Sequence, residues 1–356
     1  MPYTNVKTPS FYISTLDWLQ SVGRVKYKDD MLNDIHLLNP SAIHRIAPEE
    51  NWWQTSEINY DIEMAYSHIP YSHFADDDGY VYLFILGHNL YSKDCSMVIQ
   101  TIDSSGNVYE PSSSEGIVNF QDSNTPPEFN GWSLIKLKYP DIAIDKIRMK
   151  IRGFSALSDY EDSSGVNIGE IKLGCISLCT KFTTSHSPDV KLSMSRTFDG
   201  VKNKKTKSGS TISNAMSVRG GDYWQISHPW ELRRGDYDIR DGGITRQGFS
   251  RTLGRKSWKL NFSYLDDSDI MPEIETLDPY ETEYDDSHNI NIQGSNSFLS
   301  LINKTQGNHL PFIFQSDNSS TNPDQFSICR FKQNKFSYKQ VAPQIYNFDI
   351  NLEESW

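Results

Sequence analysis

The sequence predicts a mainly β fold, and three observations carry that expectation. Aromatic residues make up 12% of the 356 positions, a balance that favours half-buried strands over long helices. Short segments rich in β-branched and aromatic residues recur along the chain, with Gly, Pro, Asn, Asp and Ser between them. Helical spacing of apolar residues is confined to two short stretches. The length exceeds what a single core serves well, so two or three domains are expected.

Residues 1–55 read as an arm on a larger body. The apolar pattern Phe11, Tyr12, Leu16, Trp18, Leu19, followed by Gly23, predicts a short helix with glycine as its stop signal. A turn at Leu38-Asn39-Pro40-Ser41 and the pair Trp52-Trp53 follow. Deleting the arm is expected to expose apolar surface.

Residues 56–180 predict a β-sandwich. Strands are expected at 80–86, 96–102, 132–137, 146–151 and 166–173, and residues 96–109 read as a hairpin with the polar turn Asp103-Ser104-Ser105-Gly106-Asn107. The strand beginning at Gly131-Trp132, the strand Lys146-Ile147-Arg148-Met149-Lys150-Ile151, and the late Ile168-Gly169-Glu170-Ile171 give an order that resembles galactose-binding-like jelly rolls.

Residues 181–356 predict a second β domain. Strands at 190–196 and 257–264 flank a Gly-, Ser- and Lys-rich excursion that reads as loop. Ser297 caps an apolar pattern through Phe298, Leu299, Leu301 and Ile302, with Gly307 soon after, which predicts a helix near 297–305. Strands at 311–314, 326–331 and 346–352 follow. Alternation puts Phe312 and Phe314 on one face, and they are expected to form the core of this domain with Phe298 and Leu301.

Charge is uneven. The net charge of -12 argues against a general nucleic-acid binder. Residues 181–259 are nevertheless basic, whereas 266–286 carry acids and no Lys or Arg. Lys202, Lys204, Lys205 and Lys207 lie in the excursion without interleaved aromatics, which argues against base stacking and leaves phosphate or an acidic surface as partner, or a merely solvated loop. No stretch has the roughly 20 apolar residues of a membrane helix, and 81–87 suits one buried strand. The first residues lack the basic and apolar regions of a secretory leader. Cys95, Cys175, Cys179 and Cys329 are too sparse for a disulfide scaffold and read as reduced, partly buried thiols.

Few residues suggest chemistry. His68, His73 and Asp76-Asp77-Asp78-Gly79 are the densest candidate for a metal, but consecutive Asp do not give the alternating oxygens of a calcium loop. His228, His288 and His309 are isolated. The Gly-rich pieces at 217–222 and 242–244 lack a phosphate-binding lysine and read as turns. Asp266 and Glu273 could be imagined as a glycosidase pair, yet with 46 acids in the chain such pairs arise by chance. Neither an enzyme nor a cofactor is expected. Tyr223, Trp224 and Trp230 with Arg233 and Arg234 form an aromatic and basic cluster, suited to an interface or to stacking on sugars.

One resemblance covers residues 297–356 closely and 181–296 loosely. The succession Phe298-Leu299, Gly307, Pro311-Phe312-Ile313-Phe314, an Asp- and Asn-rich turn, Cys329-Arg330-Phe331 and a closing strand to Glu353-Glu354-Ser355-Trp356 resembles the C-terminal half of distal-tail and minor-tail proteins of tailed bacteriophages. That resemblance implies a tail-tube-like sandwich or split barrel with one flanking helix. It also implies copies closed into a ring, a trimer or hexamer, around a DNA channel. The partners would be other tail proteins, and the location the virion tail after synthesis in the host cytoplasm. The lysine-rich excursion would then face an acidic neighbour or the lumen. The rival expectation is a carbohydrate-binding module recognising host-surface glycan.

Overall fold

The computed structural model describes residues 6–14, 53–55, 59–65, 80–88, 90–91, 95–103, 105–111, 115–138, 144–153, 171–197, 201–215, 255–271 and 297–355. The strands are β1 (Ser10–Ser14), β2 (Trp53–Thr55), β3 (Asn59–Ala65), β4 (Tyr80–His88), β5 (Cys95–Asp103), β6 (Val108–Tyr109), β7 (Gly116–Val118), β8 (Gly131–Lys138), β9 (Ile144–Gly153) and β10 (Ile171–Leu173). They continue with β11 (Cys175–Thr183), β12 (Ser193–Thr197), β13 (Val201–Lys205), β14 (Thr211–Ala215), β15 (Arg255–Asp266), β16 (Phe312–Gln315), β17 (Phe326–Phe331), β18 (Tyr338–Ala342) and β19 (Ile345–Glu354). Two α-helical segments are described, α1 (Asp267–Ile270) and α2 (Phe298–Lys304). The fold is mainly β, as the sequence predicts.

An 11-stranded sheet runs β12-β15-β19-β17-β16-β1-β11-β4-β8-β7, with β18 also paired to β19. A four-stranded sheet, β3-β9-β5-β6, and the pairs β10-β2 and β13-β14 complete the described strands. Every pairing in the large sheet is antiparallel, so short connections suffice wherever its neighbours are consecutive. The sheet is continuous across residue 180, where the sequence suggests a domain boundary, because β11 passes through that position and β1 lies between β11 and β16.

β1 corrects the sequence reading. Phe11 and Tyr12 stand in a strand, not in the expected helix; residues 15–23 lie outside the described residues. The physical reason is two-sided burial. All five residues of β1 are buried, and alternation sends Phe11 and Ile13 into one core and Tyr12 into another. A continuous apolar run of this kind has no period to separate helix from strand.

The first core gathers Phe11, Ile13, Phe182, Trp258, Leu260, Phe262, Phe298, Leu301, Phe312, Phe314, Phe331, Phe348, Ile350 and Leu352. The second gathers Tyr12, Tyr82, Phe84, Leu86, Trp132, Leu134, Cys175, Cys179, Ile313, Phe326 and Ile328. β16 repeats the logic of β1, with Phe312 and Phe314 in one core and Ile313 in the other. Each large side chain fully buried in these clusters contributes about 1.5–3 kcal/mol to folding.

Local signals close the elements. Ser297 caps α2 by accepting the Ser300 N–H through Oγ at 3.2 Å. At the other end the Gly307 N–H bonds Ile302 O at 2.9 Å and the Gln306 N–H bonds Asn303 O at 3.0 Å, a Schellman closure. The left-handed position that glycine usually fills there belongs to Gln306 (φ 51°), and Gly307 (φ 66°) follows it. The expected hairpin at 96–109 is β5-β6. Asp103 Oδ1 accepts from the Ser105 and Asn107 N–H groups at 2.8 Å each, and Gly106 takes φ 84°.

Candidate assembly surface

β12, β15, β19 and β18 form the part of the large sheet farthest from β7, and alternation splits its two faces cleanly. Trp258, Leu260, Phe262, Phe348, Ile350 and Leu352 point into the first core. The opposite face carries Ser257, Lys259, Asn261 and Ser263 on β15 and Asn347, Asp349, Asn351 and Glu353 on β19. Its side chains hold one another. Ser195 and Ser257 hydroxyls stand 2.7 Å apart, Gln333 Oε1 accepts from Asn351 Nδ2 at 2.6 Å, and Glu353 meets Lys332 at 3.3 Å and Arg255 at 3.8 Å.

Both lateral edges of this four-stranded part are unpaired among the described residues. β18 is exposed at all five positions and, among the described residues, pairs with β19 alone. β12 is exposed at four of five positions and, among the described residues, its strand pairing is with β15. Tyr338 (41% exposed) and Val341 (45%) give the β18 edge apolar side chains. Unpaired N–H and C=O groups on such edges are templates for another strand. β18 is not legible in the sequence, because Tyr338 and Val341 stand three apart and break strand alternation, and only the Pro343-Gln344 turn before β19 marks it.

Tyr264 marks the same end of the sheet. The pairing of β15 with β19 shifts between Phe262 and Leu265, so Ser263 and Tyr264 bulge outward. Tyr264 has φ 61° and is 78% exposed, and its N–H is held by Asn347 Oδ1 at 3.2 Å. Beside it the acidic run begins with Asp266 and Asp267, both exposed, and Asp267 hydrogen-bonds the Tyr346 hydroxyl, holding that phenol above its ordinary pKa.

The lysines lie elsewhere, and their setting is a correction. Lys202, Lys204 and Lys205 belong to β13, which pairs with β14, so the expected loop is a hairpin. The turn follows from Thr206-Lys207-Ser208-Gly209-Ser210. Gly209 N–H bonds Thr206 O at 3.0 Å, Thr206 N–H bonds Ser210 O at 2.8 Å, and Gly209 takes φ 87°. Those are the bonds and the left-handed glycine of a three-residue hairpin loop, and the adjoining residues offer no apolar alternation by which the strands could be read. Register puts Lys202 and Lys204 on one face, Lys205 on the other and Lys207 at the tip.

The remaining sequence candidates fall as follows. Tyr223, Trp224, Trp230, Arg233 and Arg234 lie outside the described residues, as do His68, His73, Asp76, Asp77, Asp78, His228, Glu273 and His288. Phe298, Leu301, Phe312 and Phe314 are all buried in the first core. Phe312 packs its ring on Phe331 (4.9 Å) and Phe11 (5.7 Å), whereas Phe298 packs on Phe348 (5.0 Å), Phe182 and Phe262 (5.1 Å each). Phe11 and Phe182, 5.8 Å apart, connect the two groups. All four cysteines are buried and none forms a disulfide, and burial pushes the Cys329 thiol up.

One buried titratable group lies in the other half of the sheet. His88, at the end of β4, approaches Ser133 Oγ through Nε2 at 2.9 Å, and burial lowers its pKa to about 3. No group of three His, Cys, Asp or Glu side chains among the described residues is placed to hold a metal. No described helix is long and apolar enough to cross a membrane.

No family model matches the chain, and no curated protein and no solved structure proved similar to it.

Proposed function

We propose that the chain is a structural subunit that closes into a ring by joining the β18 edge of one copy to the β12 edge of the next. The carrying observation is the strand polarity. Since β12-β15-β19-β18 is antiparallel at every step, β18 of one copy laid beside β12 of another continues the antiparallel alternation. The contact is head to tail, and a head-to-tail contact that closes gives a ring without free edges. The edges are also staggered. β12 lies opposite the Glu353 end of the β15-β19 pair and β18 opposite Tyr346, about 23 Å away at about 3.3 Å per residue. A closed barrel requires such stagger, because its strands must tilt.

In this arrangement the polar face of β15 and β19 lines the ring and the first core lies outside it. The resemblance of residues 297–356 to distal-tail and minor-tail proteins supports the same reading: a ring of three or six copies in a phage tail tip or baseplate, joined to other tail proteins, with DNA passing through the lumen.

Mass photometry of the purified chain at micromolar concentration tests the proposal. The expected result is a closed trimer or hexamer that Tyr338→Lys with Val341→Lys converts to monomer without loss of fold, since both side chains are exposed. A monomeric wild type, or a ring that survives the double substitution, overturns it.

A further inference from the structure

We propose that the β13-β14 ribbon is a sequence-independent contact for the phosphate backbone of duplex DNA. From Val201 to Ala215 the sequence has four lysines and no acid. Lys202, Lys204, Lys205 and Lys207 are all exposed, and none has an ion-pair partner among the described residues. Around them stand Asn203, Thr206, Ser208, Ser210, Thr211 and Ser213, the neutral donors that join lysine in contacts to phosphate oxygens.

Distribution separates DNA from a protein partner. A protein interface is anchored by Trp, Tyr, Arg or Met at a desolvated centre and is depleted in Lys. The ribbon carries no aromatic residue and no Arg, and Ile212 (59% exposed) is its one exposed large apolar side chain among those described. A flat acidic surface would also meet only one face, leaving either Lys205 or the Lys202 and Lys204 pair unused. A groove meets both faces at once. The major groove of B-form DNA is wide enough for a two-stranded β-ribbon, whereas that of A-form RNA is too narrow. Lysines on two faces and at the tip then reach phosphates on both walls. Without aromatic rings there is no stacking, so a single strand has less to offer the ribbon than a duplex.

The chain as a whole carries -12, so long-range repulsion opposes this contact and makes it weak and strongly dependent on salt. The inference goes beyond the ring reading and does not need it, because a monomer would retain the ribbon. Fluorescence anisotropy of a labelled mixed-sequence DNA duplex, titrated with the full chain between about 50 and about 200 mM KCl, is the test. The expected slope of log K against log salt is about -3 to -4, at about -0.9 for each phosphate neutralised. Replacing Lys202, Lys204, Lys205 and Lys207 together by Gln should bring that slope close to zero and weaken binding at least about tenfold at the lowest salt, while the four Arg replacements keep it. The thermal transition of both variants serves as the control for folding. Absence of duplex binding by the wild type, an unchanged slope in the Gln variant, or polyglutamate competing as well as DNA at equal charge would each overturn the proposal.

Discussion

Individual side chains make two effects measurable. His88 is held neutral by burial, with a pKa near 3 against 6.5 in the unfolded chain. Between those values the unfolded state binds the extra proton, so stability falls as the pH falls; it is undiminished above about pH 6.5. From pH 7 to pH 5 the loss from this residue is about 2 kcal/mol, at about 1.4 kcal/mol per pH unit. Urea unfolding of wild type and His88→Gln at both pH values should show a shallower pH dependence in the variant, and parallel behaviour would mean that His88 is protonated in the fold. Phe312 is fully buried between Phe11 and Phe331. Phe312→Ala should cost about 3–5 kcal/mol, and a loss below about 0.5 kcal/mol in urea would place this face in solvent. The sequence supplied the alternation that buries Phe312 and Phe314 together; it could not supply their ring neighbours, because Phe11 and Phe331 come from other strands. His88 passed unnoticed for the same reason, since only the fold reveals that it is buried beside Ser133.

Elements differ in how much of them local residues dictate. α2 carries its own cap and stop signals, and β5-β6 its own turn, so both are legible in the sequence. β1, β13, β14 and β18 are not, because strands of five residues take their identity from pairing partners and not from their own period. The acidic run begins in a legible way, but the structural role of Tyr264 depends on the bulge opposite Asn347. A tyrosine at φ 61° carries backbone strain of order 1–2 kcal/mol that glycine does not. With its ring 78% exposed, little packing is lost on replacement. Tyr264→Gly should therefore stabilise the isolated subunit by about 1 kcal/mol in urea unfolding. A destabilised variant would show that the ring contributes more than the strain costs.

On the scale of the whole molecule, the controlling feature is that one strand near the N-terminus joins two cores. β1 bonds β11 on one side and β16 on the other, sends Phe11 and Ile13 into the first core and Tyr12 into the second, and donates the Tyr12 hydroxyl to Gln315 Oε1 at 2.7 Å. No local pattern signals this, since the residues pairing with Phe11 are Phe182 and Phe314, far away along the chain. Two cores sharing a central strand cannot lose that strand separately, so they should open together. Phe11→Ala touches only the first core directly, through Phe182, Phe312 and Phe314. Native-state hydrogen exchange followed at residues 132–137 in the second core and 258–262 in the first is the measurement. The variant should lose about 3–5 kcal/mol of protection in both segments, because the most protected amides exchange through global unfolding. Loss confined to 258–262 would mean that the halves fold independently on either side of β1, and the continuity of the sheet would then be geometric without being cooperative.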